Sequence, residues 1–516
     1  MTKEETIAGL LSDPEKLLQK RPFTRGAELG DIAQQAFRGT LGGYVGFNET
    51  RRVMLPRIRR IPVSQEQFMA ELDPECHKVL FDDNIPSITQ KMKDGRWFEV
   101  EYKKMSVPFQ MMIKNKHVLH LCGNPMQFTL IDQEPTEGMQ QDFMLFKQYW
   151  EKRNQDGMRT KMVDAQKSYG DAGLLYYFDD KGHVKSRLIS FADGYVLCPH
   201  NDDNGDRILE TIYYAKDNIE YIDSYDDRFM YRMRTPSPDE TAPEDGWIRE
   251  APVRHGFSEI PLVTKRGTVA WNNVQNIIEV YEVIYNIFMV IQKRHGWGIL
   301  YVRGTFNSSA EKIAGAIILN DTSITQNGSA DFKTPPSPQG MIDTMDMLEE
   351  TIQKGSGTTF LLPKDIKMSS DVSGVAIQLT QSLDNETSLQ GVIEWKNVAD
   401  KMTRLFKEGL AKELVNSGER TSAVTDFARL NISASFKAWR PRSDSEYNQM
   451  LSQLLGSGMI SQKTAIQKNT ESTPDEEARI SVEEEQKKAE EEAAAQAQQQ
   501  ESGDDSGDGN DNQNNS

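Results

Sequence analysis

The chain has 516 residues, of which only 37% are hydrophobic, and its net charge at pH 7 is −18. Residues 481–516 hold eleven acidic residues and two lysines, so the first 480 residues carry only −9. A protein that binds nucleic acid tightly normally presents a basic face, and the sequence has no strong basic run. Any DNA that the chain meets should therefore be free to slide. The low hydrophobic content favours an elongated or ring-forming subunit with much surface for its volume.

The cysteines and the apolar runs limit the cellular compartment. Three cysteines lie far apart and form no CxxC pair, which predicts a reducing compartment without disulfides: Cys76, Cys122 and Cys198. The N-terminal segment has acids where a signal peptide needs positive charge, and it lacks an apolar core. The longest apolar stretch, at 283–291, is too short to span a membrane and contains Asn286. We expect a cytosolic protein without membrane contact.

The first third of the chain mixes irregular and helical segments. Residues 1 to about 65 are polar and predicted to be partly extended, whereas 66–80 and 137–166 show helical periodicity. The second helical segment places four aromatic side chains on one face: Phe143, Phe146, Tyr149 and Trp150. Such a face could stack nucleic-acid bases. Because no basic residues interleave with the aromatics, we favour a role in the core.

Residues 173–263 change to short strands separated by turn residues such as DDKGH and NDDNGD. This pattern predicts an antiparallel β meander. The segment 201–206, NDDNGD, faintly resembles a calcium loop, but it lacks oxygen donors at the alternating positions and no bidentate Glu follows at the right distance. A hairpin turn explains it better.

Helical periodicity returns at 270–294 with apolar residues on two sides. One stripe comprises Val274, Ile277, Ile278, Tyr281, Ile284, Tyr285, Phe288 and Ile291. The other comprises Val280, Val283, Ile287 and Val290. Such a helix would be ~37 Å long and needs neighbours on both sides. It is therefore either deeply buried in one chain or covered by copies of the chain in a ring.

The second half is predicted to be mainly helical. Residues 299–336 form a small mixed segment with a strand, ILYVRG, and a short helix, SAEKIAGAIIL. Helices are predicted at 339–354 and 375–416, a strand at 428–438, two helices joined at 456–458, and a further helix from Ser472. The last part of the acidic segment 481–516 has no apolar residues, so we expect disorder there.

No motif in the chain indicates catalysis. P-loop, GxSxG and HExxH patterns do not occur, and we predict no catalytic residue, cofactor or metal site. The pairs Cys76-His77 and Cys198-Pro-His200 are too isolated for zinc, and buried structural cysteines are expected instead. Three acidic pairs are the candidates for a metal-dependent nuclease or hydrolase, although they fall in turns: Asp179-Asp180, Asp202-Asp203 and Asp226-Asp227.

The segment 355–374 is a loop punctuated by glycine and serine, which predicts a hinge. Three lysines flank it or lie within it: Lys354, Lys364 and Lys367. In a single chain they are ordinary solvated charges. In a ring, one lysine per chain becomes a belt of positive charge that attracts phosphates without selecting a sequence. The residues alone leave both interpretations open.

The order of several segments resembles the portal (head-to-tail connector) protein family of tailed bacteriophages, siphophage type. The segments are the β-rich stretch SYGDAGLLYYFDDKGHVKSRLISF, HGFSEIPLV at 255–263, DVSGVAIQLTQSLDN at 371–385, and SDSEYNQMLSQLLGSGMISQKTAIQKN at 443–469. Together they span about 170–480, and their order and spacing carry the resemblance more than any single motif does.

The resemblance implies an α+β portal fold that assembles as a ring of about twelve subunits. It would divide the chain into a wing (1–269, β-rich after 170), a descending stem helix (270–295), a clip (296–338), a returning stem helix (339–354), a tunnel loop (355–374), a second wing part (375–440), a crown (441–480) and a disordered acidic tail (481–516). Lys354, Lys364 and Lys367 would then face DNA.

The resemblance also implies a function without catalysis. The ring would sit at a unique capsid vertex of the virion, after assembly in the host cytoplasm, and would conduct double-stranded DNA during packaging and ejection. Its partners would be the terminase large subunit, a head-completion or neck adaptor protein, and the major capsid and scaffolding proteins. The alternatives are the nuclease or hydrolase above and another capsid-associated structural protein, such as a minor head or adaptor protein.

Overall fold

The chain folds as a mixture of helices and small antiparallel sheets, an α+β arrangement compatible with the expected class. The structure, a computed structural model, describes residues 3–19, 23–25, 61–83, 85, 88–91, 97–100, 103–131, 136–241, 243–295, 299–303, 311–313, 316–318, 329–333, 339–360, 382–416, 427, 429–439, 444–462, 465–466 and 480. Contacts divide it into two units, residues 1–362 with 381–439, and residues 363–380 with 440–516.

The elements up to residue 169 are mostly helical. They are α1 (Lys3–Ser12), α2 (Pro14–Leu17), β1 (Phe23–Arg25), β2 (Ile61–Val63), α3 (Gln65–Leu72), two 3-10 helices (Pro74–Cys76 and Lys78–Phe81), β3 (Ile88–Lys91), β4 (Trp97–Val100), α4 (Phe109–Cys122), β5 (Gln127–Leu130), α5 (Glu137–Lys152) and α6 (Gln155–Tyr169).

The β-rich part and the elements that follow it complete the part of the chain that the structure describes. They are β6 (Asp171–Phe178), β7 (Val184–Ile189), a 3-10 helix (Phe191–Asp193), β8 (Val196–Asn201), β9 (Arg207–Lys216), β10 (Ile219–Tyr225), β11 (Phe229–Arg234), β12 (Ile248–Arg249), β13 (Val253–Arg254), β14 (Leu262–Arg266), α7 (Gln275–His295), β15 (Ile299–Arg303), β16 (Glu311–Ile313), β17 (Ala316–Ile318), β18 (Ser329–Lys333), α8 (Gln339–Ser356), α9 (Ser382–Asn416), β19 (Ile432–Ser435) and α10 (Asp444–Gly456).

The structure adds detail to two predictions for the N-terminal third. The segment expected to be partly extended begins with α1 and α2, whose apolar side chains Ile7 and Leu17 pack against β9–β11. The helical segment expected at 137–166 is confirmed and consists of two helices, α5 and α6. The chain turns between them at Asn154, which has a positive φ of 48° and caps α6 by accepting a hydrogen bond from the Gly157 amide.

The expected β meander is two separate antiparallel sheets. Strands β8 to β11 are hydrogen-bonded in chain order, with β12 and β13 both on the outer edge of β11. The other sheet has the order β14-β6-β7, because β14 returns to pair with β6 in the register Leu262↔Leu175. Alternation of apolar residues predicts strands but not which distant strand closes a sheet, so the second sheet escaped prediction.

The largest core surrounds α9. Trp395, Met402, Phe406 and Leu410 of this helix pack against α5, α6 and the β6–β7 hairpin within one buried cluster. Phe146 and Trp150 are almost fully buried there, and Trp150 makes an edge-to-face contact with Phe406 at 5.3 Å between ring centres. Phe143 and Tyr149 pack at the margin. The prediction that the aromatic face of α5 belongs to the core is confirmed.

Two antiparallel strand pairs lie between α7 and α8 along the chain. The predicted strand ILYVRG is β15, which pairs with β18. The predicted helix SAEKIAGAIIL is wrong, because Glu311–Ile313 and Ala316–Ile318 form the antiparallel pair β16–β17. Ile313, Ile317 and Ile318 are β-branched, which favours strands over a helix. The predicted strand at 428–438 is the shorter β19, which pairs with β5.

Candidate functional site

Helices α7 and α8 pack against each other. In the sequence, the strand pairs β15–β18 and β16–β17 lie between them. At the start of α7, Val274 and Ile278 share a buried cluster with Ile352 near the end of α8 and with Phe360 beyond it. Helix α8 ends at Ser356, two residues later than its predicted end. The two helices therefore bring the C-terminal end of α8, and the segment after it, beside the N-terminal end of α7.

A polar stripe fixes the rotation of α7. Gln275, Glu282 and Asn286 are buried on one side of the helix. Glu282 Oε1 accepts a hydrogen bond from the Val107 amide at 2.8 Å. Asn286 pairs with the backbone of Met105, donating to its carbonyl at 2.7 Å and accepting from its amide at 2.8 Å. This third, polar side of the helix was not predicted from the sequence, although residues 275, 282 and 286 follow helical spacing.

The strongest contact in the stripe is between Glu282 and His77. The Nδ1 atom of His77 lies 2.6 Å from Glu282 Oε1, and its Nε2 atom lies 2.9 Å from the Glu71 carbonyl oxygen. Both nitrogens face acceptors, so the protonated imidazolium satisfies them best. Burial acts to lower the pKa of His77, but the hydrogen bond and charge of Glu282 outweigh it, and the pKa is raised.

The remaining sides of α7 and α8 are apolar but incompletely covered within one chain. Val280 on α7 is 50% exposed and Met347 on α8 is 57% exposed. Many other apolar residues of these helices are only half-buried: Ile277, Tyr281, Val283, Ile284, Tyr285, Ile287, Phe288, Met289, Ile291, Met341, Ile342, Met345 and Leu348. Half-buried apolar side chains along both helices leave surface that a neighbouring protein surface can cover.

The chain immediately after α8 is held in place and is not the predicted hinge. His117 Nε2 lies 3.0 Å from the Ser356 carbonyl oxygen. The Thr359 amide donates to Asp384 Oδ1 at 2.9 Å, and the Phe360 amide donates to the Gln353 side chain at 3.0 Å. Residues 355–360 are therefore anchored to α4, α8 and the start of α9.

A glycine makes this anchoring possible. Gly357 has a φ of +63°, and a Cβ atom there would lie 2.0 Å from Thr387 Oγ1. Any other residue would be strained by its backbone and would also collide with α9.

The three predicted site lysines are not all described. Lys354 lies in the last turn of α8 and forms an ion pair with Glu350 at 2.6 Å, with both side chains largely exposed. An exposed pair of this kind stabilises a helix by at most about 1 kcal/mol. Lys364 and Lys367 lie outside the described residues, so the structure does not bring the three together, and their facing DNA stays a prediction.

A cleft of about 340 Å³ opens between the end of α8 and the start of α9. His117, His120, Gln166, Lys167 and Asp384 are among its lining residues. Burial lowers the pKa of His117 to about 3, so this imidazole is neutral and donates its Nε2 hydrogen to the Ser356 carbonyl. Sequence motifs gave no sign of this cleft, because its walls come from four helices that are distant in the chain.

The acidic pairs proposed for a nuclease are turn residues in the structure. Asp179, Asp202 and Asp226 each accept two backbone hydrogen bonds within their own turns, as expected for hairpin tips. Among the described residues, no group of three or more His, Cys, Asp or Glu side chains is placed to hold a metal ion.

One of the two predictions of a buried cysteine is confirmed and the other is wrong. Cys198 is buried, as expected for a structural cysteine, and its thiol lies near the Leu18 carbonyl at 3.9 Å. Cys76 is exposed, which contradicts the prediction, because it ends a 3-10 helix on the surface while its neighbour His77 turns inward to Glu282.

Comparison with known proteins identifies one family. The model of the family described as phage portal protein, SPP1 Gp6-like, matches residues 99–499. The matched range includes both sheets of the β-rich part, helices α7, α8 and α9, and the cleft between them. A search of curated proteins found no match. In the part of the chain that the structure describes, no helix is long and apolar enough to cross a membrane.

Proposed function

The chain belongs to the family of phage portal proteins of the SPP1 Gp6-like type, and from that premise we propose that it forms a ring-shaped channel for double-stranded DNA at one vertex of the capsid. Portal proteins are structural rather than enzymatic, and they assemble as oligomeric rings in association with the capsid and the terminase. DNA would pass through the ring during packaging and again during ejection.

The incompletely covered apolar surface of α7 and α8 supports ring assembly. The polar stripe of α7 is occupied by contacts within the chain, so its apolar sides are the ones left for other molecules. In a closed ring each subunit presents two different surfaces to its left and right neighbours. We propose that α7 is the descending stem helix, that α8 is the returning one, and that the strand pairs β15–β18 and β16–β17 belong to the clip.

The charge distribution supports a passive channel. The first 480 residues are mildly acidic, which disfavours tight binding to the phosphate backbone. A few lysines per chain, repeated around a ring, would give a weak sequence-independent contact. We propose Lys354, Lys364 and Lys367 for this contact, at the base of and within the tunnel loop at 355–374.

The partners and the place of action follow from the same premise. We propose that the clip side binds the terminase large subunit during packaging and a head-completion or neck adaptor afterwards. The wing would contact the major capsid and scaffolding proteins, and residues 441–480 would form a crown inside the head. The acidic segment 481–516 would extend beyond the crown.

The match over residues 99–499 is the observation that carries this proposal. Electron microscopy of the purified full-length chain tests it directly. We expect closed rings of about a dozen subunits with a through-channel wide enough for duplex DNA. A chain that stays monomeric at high concentration in several salts would overturn the proposal, and an oligomer without a channel would favour a different capsid-associated role.

A further inference from the structure

Phe81 holds its aromatic ring out on the surface of the chain. The residue is 70% exposed, and it is the last residue of the 3-10 helix Lys78–Phe81. An aromatic side chain can bury about 150–250 Å² when a partner covers it. Aromatic residues that are exposed in a free subunit are typical anchors of protein interfaces, so Phe81 is the starting point for a search for a partner surface.

The short helix that carries Phe81 is fixed to α7. Val79 is buried in one apolar cluster with Val290 of α7. The Nζ atom of Lys78 lies 2.8 Å from Glu279 Oε1, which adds an ion pair between the same two elements. The aromatic ring therefore stands on a fixed support. A side chain on such a support loses little conformational freedom when a partner covers it, which favours binding.

The support of Phe81 and helix α8 lie on opposite flanks of α7. Val283 packs against the cluster that contains Val79. Tyr281 packs against the cluster that contains Ile352 of α8. Positions 281 and 283 point about 200° apart around the helix axis, because each residue of an α-helix turns by about 100°. Helix α7 therefore separates the surface with Phe81 from α8.

The side of α8 that faces away from α7 carries an apolar spot with an acidic border. Ile352 is fully buried on the side toward α7. Met347, on the far side by helical spacing, is 57% exposed, and the exposed residues around it are Asp343, Asp346 and Glu350. Methionine adapts its shape to a partner, and its sulfur makes favourable contacts with aromatic rings. This surface suits an aromatic side chain with a basic neighbour.

We propose that Phe81 of one copy packs on Met347 of the next copy around the ring. A ring of identical subunits needs two different surfaces, one toward each neighbour, and these two lie on opposite flanks of α7. The Lys78 side chain is 67% exposed, so its charge would meet the acidic border of Met347. This inference rests on the ring assembly proposed above and names the two surfaces that close it.

Cross-linking of assembled rings of the full-length chain tests this pairing. Phe81→Cys and Met347→Cys are combined in one chain, with Cys76→Ser to remove an exposed native thiol. A short bis-maleimide joins the thiols, because long side chains in contact hold their Cβ atoms too far apart for a disulfide. On a denaturing gel we expect a ladder of covalent multimers that extends to the whole ring. Either new cysteine alone should give only monomers.

Val253→Cys in place of Phe81→Cys is the matched control, because Val253 is 56% exposed but lies on β13. It should give no ladder with Met347→Cys. Rings of the double-cysteine chain without a ladder would overturn the pairing and leave the ring itself intact. Cross-linked dimers from Phe81→Cys alone would also contradict the pairing, because Phe81 would then meet its own copy. If the unaltered chain forms no rings, the proposed function fails instead.

Phe81→Ala measures the contribution of the ring contact without a cross-linker. Truncating an interface anchor should raise the protein concentration needed for assembly at least about ten-fold. The free energy of unfolding of the subunit should change little, since Phe81 is largely exposed within its own chain. If the double-cysteine chain does not assemble, this variant decides. Assembly of Phe81→Ala at the same concentration as the unaltered chain would overturn the inference.

Discussion

His77 and Glu282 form a buried charged pair that joins the loop between two 3-10 helices to the middle of α7. Their atoms are 2.6 Å apart, and the side chains are 3% and 2% exposed. The carboxylate also accepts from the Val107 amide, and the imidazole also contacts the Glu71 carbonyl. One pair therefore fixes α7 against two neighbouring segments. The protonation state of His77 affects how strongly these contacts stabilise the fold.

The stability of the protein should depend on pH through this pair. The pKa of His77 is raised in the folded chain, so the pair's contribution is complete below the pKa of about 6.5 that histidine has when unfolded. The contribution is lost as the pH rises through the folded-state pKa. Urea unfolding at a series of pH values measures this effect. The free energy of unfolding of the unaltered chain should fall toward alkaline pH by an amount that His77→Gln does not show.

The partner variant sharpens this test. Glu282→Gln keeps an acceptor but removes the charge that raises the histidine pKa, so it should lose the same pH-dependent component. Removing one member of a buried pair is expected to cost about 3–5 kcal/mol near neutral pH. If the free energy of unfolding depends on pH identically in the unaltered chain and in both variants, the pair does not couple protonation to folding.

The anchored segment after α8 should not tolerate a side chain at its glycine. Gly357→Ala places a Cβ atom in a left-handed backbone conformation and against Thr387. We expect a loss of more than about 1 kcal/mol in the free energy of unfolding. Gly340→Ala is the control, because that position lies in α8 with nothing within 4 Å of its added Cβ.

The control should be neutral or stabilising by up to about 1 kcal/mol, the gain expected from helix propensity. Chemical denaturation of both variants under one set of conditions measures the difference. Equal stabilities of Gly357→Ala and Gly340→Ala would mean that the segment can move away from α9 at no cost.

Charged residues on the apolar surface of α7 and α8 should weaken assembly. Val280→Asp and Met347→Asp put a carboxylate where we propose that a neighbouring subunit packs, and desolvating it would cost several kcal/mol. Mass photometry over a dilution series should show that the variants form rings only at a protein concentration at least about ten-fold higher than the unaltered chain needs. This difference corresponds to about 1.4 kcal/mol of association free energy. Circular dichroism checks that the variants fold.

Val253→Asp is the matched control for assembly. This valine is as exposed as the other two, at 56%, but it lies on the edge strand β13. It should assemble like the unaltered chain. If all three variants form rings at the same concentration, α7 and α8 do not form the subunit contact.

Charge reversal at Lys364 and Lys367 should impair DNA packaging or genome retention while rings still assemble. The reason is that the reversal would remove the weak phosphate contact that we propose for these lysines around the channel. Counting filled heads by electron microscopy and measuring infectivity check the result. Lys216→Glu, at an exposed position near a hairpin tip, controls for the change of charge. Normal infectivity of the double variant would count against any role for these lysines.

Sequence patterns predicted the helices with strong periodicity and the core role of the aromatic residues on α5. Phe146 and Trp150 were identifiable because a helix repeats every 3.6 residues and its apolar face must be covered. The pairing of β14 with β6 was not, because it joins strands separated by most of the β-rich segment. The helix expected at 309–319 failed because local spacing was weighed above the strand preference of three isoleucines.

The candidate site was predictable only in outline. Helical periodicity predicted α7 and α8, and the resemblance assigned them to the stem, which stays a prediction. The family match confirms the resemblance itself. The polar stripe of α7 and the cleft escaped notice, because their partners lie on other parts of the chain. Glu282 and Asn286 were visible only as polar residues inside an apolar run. His77, Val107 and Met105, which satisfy them, come from more than a hundred residues away.

The hydrogen bond between Thr359 and Asp384 bears on how the chain tolerates changes in the length of the segment between them. It joins the segment that follows α8 to the first turn of α9, so described contacts hold together the two ends that residues 361–381 connect. Doubling the length of such a connection costs only about 0.6 kcal/mol in loop closure. A change in the length of the connection between the two ends should therefore cost little through loop closure alone, and the contact between Thr359 and Asp384 need not change with it.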